Sequence, residues 1–248
     1  MKYGVNSCFN SHSKANFKIS AFPAPNKHNL DIGMRSFLPL SLKFDIMVLE
    51  KHPKAEALIF DLDGTLSDSL PVHIATWHKV CAHYNCTFNE KIIEEMTGMP
   101  TISFAERVIA ENNLHGVDPN EIVKMKQETF WDHASLLKPH QPVVDLMLKY
   151  HGKIPMAVGT GASRRSAEVQ LETLGLTKYF DAIVTADDVT KHKPEPETFL
   201  KCAELLGIKA ESCQVLEDGV LGMEAAKTAG MYLIDVRPFT YENFSPVG

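Results

Sequence analysis

No run in the chain approaches the roughly 20 apolar residues that cross a bilayer. The most apolar early stretch, residues 37–49, is broken by Pro39, Lys43 and Asp45, which argues against a membrane span and a signal-peptide core alike. Cysteine is scarce: there are five in 248 residues, an odd number, and no Cys-x-x-Cys pair. That excludes a disulfide scaffold and gives no support to a structural zinc site. Cys81 and Cys86 are five apart within a helical pattern, a spacing that does not stack side chains as i, i+4 does. Basic charge is also short. A net charge of −6 leaves nothing in the overall balance to attract nucleic acid or an anionic membrane. Local groups must therefore hold any anionic substrate.

Acidic residues are almost missing from the first 53 positions, where Asp31 is the first, and no helical or strand period is sustained there. Residues 1–53 read as an irregular N-terminal extension. Lys and Ser without acids suit an organelle-directed leader on an otherwise cytoplasmic protein, while Met47 offers an alternative beginning.

From Ala57 the pattern changes. Ala57-Leu58-Ile59-Phe60 is a continuous apolar run ending in an acidic, Gly-containing turn, the signature of a parallel strand buried on both faces. Amphipathic helices follow at about 71–84, 89–96, 101–112 and 119–134, with breaks at Gly98-Met99-Pro100 and Gly116-Val117-Asp118-Pro119. No strand is expected between 70 and 140. Beyond Pro142, strands at 154–160, 182–185, 214–217 and 232–236 alternate with helices starting near Ser163 and Glu195 and one ending near Ala229. Such alternation predicts an α/β fold: a doubly wound parallel-sheet core (54–68 and 141–248) interrupted by an all-helical cap (69–140).

Asp61-Leu62-Asp63-Gly64-Thr65-Leu66 follows the first strand directly, and residues two apart on extended chain point to the same side. Two carboxylates therefore face one site, as covalent phosphoryl transfer requires of a nucleophile and an acid–base partner. Asp-x-Asp alone would pass for an acidic turn; with Gly-Thr-Leu appended, a chance match falls to on the order of one in ten thousand. The second strand ends at Gly159-Thr160-Gly161, offering a hydroxyl and backbone N–H groups to a phosphate, with a helix N-terminus close behind at Ser163. Lys193 stands ahead of Pro194 and Pro196 on a segment that cannot be helical, a fixed cation suited to phosphoryl oxygens. Lys191 and His192 beside it read as solvated. Glu217-Asp218 ends another apolar strand, and paired acids with Asp61 provide the oxygen ligands Mg²⁺ prefers. Asp218 as a cap for the next helix is the alternative. Each element falls at the carboxyl end of a predicted strand or just after it, where open α/β sheets bind ligands.

The order of these motifs, Asp61-Leu62-Asp63-Gly64-Thr65, then Thr160, Lys193 and Glu217-Asp218, resembles the haloacid dehalogenase superfamily over residues 55–237. The likeness is to its helical-cap members, the beta-phosphoglucomutase and fructose-1-phosphate phosphatase-like enzymes. It implies Mg²⁺ held by Asp61, the backbone carbonyl of Asp63, Glu217 and Asp218; Asp61 as nucleophile; Asp63 as general acid and base; and Leu62, Asp63, Thr160, Gly161 and Lys193 around the phosphate. An elevated Asp63 pKa is expected beside that anion. His73 and Trp77, four apart on the first cap helix, resemble the group's cap-hinge pattern, with His73 a candidate substrate contact. The implied substrate is a small phosphate ester, a sugar phosphate by analogy, acted on by a monomer or weak homo-oligomer. The mutases' phosphate-binding arginine has no counterpart in Thr97-Gly98-Met99-Pro100-Thr101-Ile102-Ser103-Phe104, since the first arginine afterwards is Arg107. Hydrolysis is therefore the expected reaction, with sugar phosphomutase as the alternative and a non-catalytic binding protein disfavoured by the intact Asp61 and Asp63.

Overall fold

The computed structural model describes residues 49–241; the expectations for Cys8 and residues 1–48 lie outside them. Five parallel strands, β1 (Ala57–Phe60), β4 (Met156–Gly159), β5 (Ala182–Val184), β6 (Cys213–Glu217) and β7 (Tyr232–Asp235), form one sheet in the order β5-β4-β1-β6-β7. The chain winds outward from β1 through β4 to β5, then returns to the other side of β1 for β6 and β7. That reversal is the switch point at which doubly wound sheets open a crevice.

Alternation along β1 feeds two hydrophobic layers. Leu58 and Phe60 join Val158 and Leu216 under helices α5 (Gln141–Tyr150) and α6 (Arg164–Thr173). Ala57 and Ile59 join Ala157 and Val215 under α7 (Glu197–Leu206) and α8 (Val220–Thr228). Phe60 is fully buried, and cutting such a side chain to Ala costs about 3–5 kcal/mol in transfer and cavity terms. Leu49 packs on the first layer and the His52 ring stacks on Tyr232 at 3.8 Å, so the packed structure already includes residues 49–53, expected to be extension.

Between β1 and α5 come α1 (Leu70–His83), α2 (Lys91–Met96), α3 (Thr101–Asn112) and α4 (Pro119–Asp132). Pro71 and Pro119 sit in first turns, where a missing N–H costs nothing, and Asp118 caps α4 by accepting from the Asn120 N–H. Their shared core centres on Trp77, whose ring lies 5.5 Å from Phe88 and 6.1 Å from Phe104.

Three expectations need correction. A two-stranded antiparallel ribbon, β2 (Ser67–Asp68) with β3 (Lys138–Pro139), carries the chain into and out of the helical insert, although no strand was expected between 70 and 140. Two residues are too few to display a period. The helix α5 went unread because Pro142, taken as a boundary, sits in its first turn. Cys81 and Cys86 do meet: α1 ends at His83, Asn85 takes a left-handed conformation, and the Cys86 N–H returns to the Cys81 carbonyl at 2.9 Å. Both thiols are free, and burial first, then the neighbouring Cys86, pushes Cys81 up to about 12.

The final short elements are a helical turn, α9 (Arg237–Thr240), and Tyr241 after it.

Candidate active site

Register sets the site. Phe60 pairs with Val158 on one side and Leu216 on the other, so Asp61, Thr160 and Glu217-Asp218 leave their strands at one level beside the switch point. Asp61, Glu217 and Asp218 are buried, each with a carboxylate oxygen within 4.8 Å of the others. Lys193, 1% exposed, donates through Nζ to Asp61 Oδ1 and Glu217 Oε2, both at 2.7 Å. Glu217 Oε1 accepts from the Asp218 and Gly219 N–H groups at 3.2 and 2.9 Å. Asp218 does not cap α8, whose N-cap is Gly219. Instead its Oδ1 accepts from Thr65 Oγ1 at 2.8 Å and its Oδ2 from the Tyr241 hydroxyl at 2.7 Å.

Three carboxylates cluster here around one ammonium that bonds two of them, and the ionisation shows it. Burial, then repulsion from Glu217, pushes Asp61 up to about 8 against the pull of Lys193. Burial and Asp61 push Asp218 up to about 7, and burial raises Glu217. Burial disfavours the Lys193 ammonium, but Asp61 and Glu217 overcome it and hold the group above its ordinary value. A hard divalent cation fits this donor set, which is all oxygen, closely spaced and carries surplus negative charge.

Asp63 is treated differently. Its Oδ1 accepts from Ser69 Oγ at 2.6 Å, His73 Nε2 at 2.8 Å and Gln170 Nε2 at 2.9 Å. No donor among the described residues reaches Oδ2. Lys126 Nζ lies 2.6 Å from His73 Nδ1. Burial and the Lys126 charge lower the His73 pKa, so the ring is neutral, accepting at Nδ1 and donating from Nε2. Burial works against ionised Asp63, yet the His73 interaction and the Ser69 and Gln170 hydrogen bonds outweigh it and hold the carboxyl below its ordinary range. With His73 neutral, we attribute that lowering to hydrogen bonds more than to imidazolium charge. The direction opposes the expected elevation, which counted a neighbouring phosphate and not these three donors.

Thr160 is buried, with its N–H on the Val184 carbonyl and its Oγ1 accepting from the Ala162 N–H at 3.1 Å. A Cβ on Gly161 would stand 2.2 Å from the Gly98 carbonyl oxygen, so glycine is needed where the α2–α3 loop meets the β4–α6 loop. Leu62 packs in the first core layer while its carbonyl accepts from the N–H groups of Thr65, Leu66 and Ser67, closing the turn that aims Asp63. Asp61, Asp63, Thr160, Gly161 and His73 line one cavity with Trp77, Phe104 and Lys126.

Ser69, Gln170, Lys126 and Tyr241 were missed in the sequence. Two carried a signal. Ile122, Lys126 and Phe130 form the buried stripe of α4, and Ser166 and Gln170 belong to that of α6, so a lysine and a glutamine occupy core positions. Buried polar groups need partners: Gln170 finds Asp63, and Lys126 finds His73 beside it.

Sheet order, switch point and a buried carboxylate cluster at the carboxyl edge of the sheet together mark an α/β enzyme fold. The chain belongs to the haloacid dehalogenase-like hydrolase family, whose model matches residues 58–236. Fructose-1-phosphate phosphatase YqaB of Escherichia coli is 42% identical over 188 residues, covering 75% of this chain and 98% of that protein. Beta-phosphoglucomutase of Bacillus subtilis is 27% identical, covering 73% and 83%. Among solved structures, CbbY from Rhodobacter sphaeroides in complex with phosphate superposes with a TM-score of 0.66 at 23% identity, over 72% of this chain and 84% of that one, a likeness of fold.

Proposed function

We propose that the protein is a magnesium-dependent phosphatase acting on a small phosphate ester, of the hexose 1-phosphate kind, with α1–α4 serving as a cap over the site. The observation that carries this reading is the convergence at one sheet edge of buried Asp61, bonded to Lys193, with Asp63 two residues on and lining the same cavity. The kinship to a fructose-1-phosphate phosphatase supports the substrate class.

In the first step an Asp61 carboxylate oxygen attacks phosphorus; the new O–P bond forms as the ester O–P bond breaks, and the leaving oxygen takes a proton from Asp63 Oδ2. The Thr160 hydroxyl and Lys193 ammonium hold the non-reacting oxygens. In the second step Asp63 takes a proton from water, the water oxygen bonds to phosphorus, and Asp61 leaves, yielding inorganic phosphate. Asp61, Glu217, Asp218 and the Asp63 carbonyl would hold Mg²⁺, which when bound offsets the repulsion between the carboxylate cluster and a phosphate dianion. The dianion also supplies an upward push on Asp63 that the three donors resist, which favours the protonated carboxyl the first step needs.

Phosphomutase chemistry requires a grip on a second phosphate. Among the described residues lining the cavity there is no arginine, and Lys126 is already engaged with His73. Hydrolysis is the reading this favours. Phosphate release from a panel of sugar phosphates with Mg²⁺, with isomers scored in the same samples, tests it: release lost with EDTA and in Asp61→Asn supports the phosphatase, and isomer formation without release overturns it.

A further inference from the structure

Asp218 is held from three sides. Thr65 donates to Oδ1 and Tyr241 to Oδ2. Across the carboxylate runs Gly64, at φ +83°, where a Cβ would stand 2.2 Å from Oδ2. Two donors on opposite oxygens fix the plane of a carboxylate; one alone leaves it free to turn about its Cβ–Cγ bond. Thr65 and Gly64 come with the Asp61–Thr65 turn. Tyr241 does not: it lies beyond the residues matched by the family model, 58–236, and arrives by way of α9.

The tail that carries it is tied to the site. The Val236 N–H donates to the Glu217 carbonyl at 3.0 Å, Arg237 pairs with Asp235, and the Tyr241 N–H closes on the Arg237 carbonyl at 3.0 Å. The phenol ring lies 6.4 Å from His140, at the strand returning from the helical insert. A phenol at neutral pH is a donor, so the hydroxyl's hydrogen bond to Asp218 is of the charge-assisted kind when the carboxylate is ionised.

We propose that Tyr241 is a positioning residue for the metal site: its hydroxyl sets the orientation in which Asp218 binds Mg²⁺, making the C-terminal turn part of the metal centre. The proposal rests on the reading that Asp61, Glu217 and Asp218 hold the ion. Outer partners that orient metal ligands typically contribute about 10- to 100-fold in affinity. Coupling is reciprocal, so Mg²⁺ must also stabilise the seat of Tyr241.

The test is calorimetric titration of Mg²⁺ into the metal-free full chain, comparing wild type, Tyr241→Phe and Asp218→Asn, with the melting temperature of each metal-free protein measured alongside. Tyr241→Phe keeps the ring and removes the donor. The expected result is binding to wild type, a Kd raised about 10- to 100-fold in Tyr241→Phe with an unchanged metal-free melting temperature, and loss of binding in Asp218→Asn. Equal Kd values for wild type and Tyr241→Phe, with Asp218→Asn still defective, overturn the role of Tyr241 alone. Undiminished binding in Asp218→Asn overturns the metal site and the proposal with it. Hydrogen exchange in wild type needs no variant: Mg²⁺ should slow the amides of 237–241, and an unchanged rate there counts against the coupling even if Tyr241→Phe fails to fold.

Discussion

On the sheet side three clustered carboxylates stand beside one ammonium, Lys193, which bonds two of them; on the helical side one ammonium, Lys126, faces one imidazole and through it a single carboxylate, Asp63. Both clusters are buried, and burial disfavours the ionised carboxylate in each, but the partners around them differ. The first has surplus negative charge, so its acids are pushed up. In the second, cation and donors outnumber the acid, so Asp63 is held down, and Lys126, desolvated on its helix, falls to about 8. Two aspartates two residues apart on one strand end thus acquire different chemistry from the elements packed against them. Such divergence separates a nucleophile from an acid–base partner.

Removing Asp61, the proposed nucleophile, is the harshest way to break the contrast. Asp61→Asn should lower phosphate release by at least about 10⁴-fold, as loss of a nucleophile does, while relieving repulsion and leaving the metal-free melting temperature equal or higher. Retained turnover would remove Asp61 from the chemistry.

Lys193→Met strips the carboxylates of their partner. Breaking a buried ion pair from one side typically costs about 3–5 kcal/mol, read from denaturant unfolding at neutral pH. A loss below about 1 kcal/mol would show that proton uptake by the carboxylates compensates almost fully.

The helical side should respond in kinetics more than in stability. Lys126→Met removes a buried charge of matching shape, so stability should stay near the wild-type value or rise. Turnover should fall about 10²-fold as His73 and Asp63 lose their orientation. An NMR titration should show the His73 pKa rising once the Lys126 charge is gone, and a pKa that stays put would uncouple the two residues.

The smallest effect concerns pH. Asp61 and Asp218 have folded pKa values of about 8 and 7 against ordinary values near 3.8, so the folded metal-free protein binds more protons than the unfolded chain. The stability these groups contribute is full below about pH 4 and is lost as pH rises through 7 to 8. Mg²⁺ competes with those protons, so the rise in melting temperature caused by Mg²⁺ should grow from pH 6 to pH 8. A shift independent of pH would mean that the ion displaces no protons.

Much of the sheet side was legible in the sequence because local rules suffice for it. Ala57-Leu58-Ile59-Phe60 is apolar on both faces, which a parallel strand between helix layers requires, and its next residue is Asp61 by chain continuity alone. Thr160 and Glu217-Asp218 follow their strands in the same way. The ribbon of β2 and β3 escaped because two residues show no period, and α5 because a first-turn proline resembles a boundary. Cys86 met Cys81 because a left-handed Asn85 turned the chain back, which spacing along an ideal helix does not anticipate.

The sequence by itself determined the fold class, the order of elements and which carboxylates stand at strand ends, because each is written in a short contiguous pattern. Only the tertiary structure decided which groups those carboxylates face. Ser69, His73 and Gln170 reach Asp63, Lys126 reaches it only through His73, and Thr65 and Tyr241 reach Asp218, from segments as far apart as residues 65 and 241. Their convergence follows from how helices pack over the sheet edge, and ionisation depends on that packing because charge interactions in a buried site are set by distance and desolvation, not by neighbours in the chain.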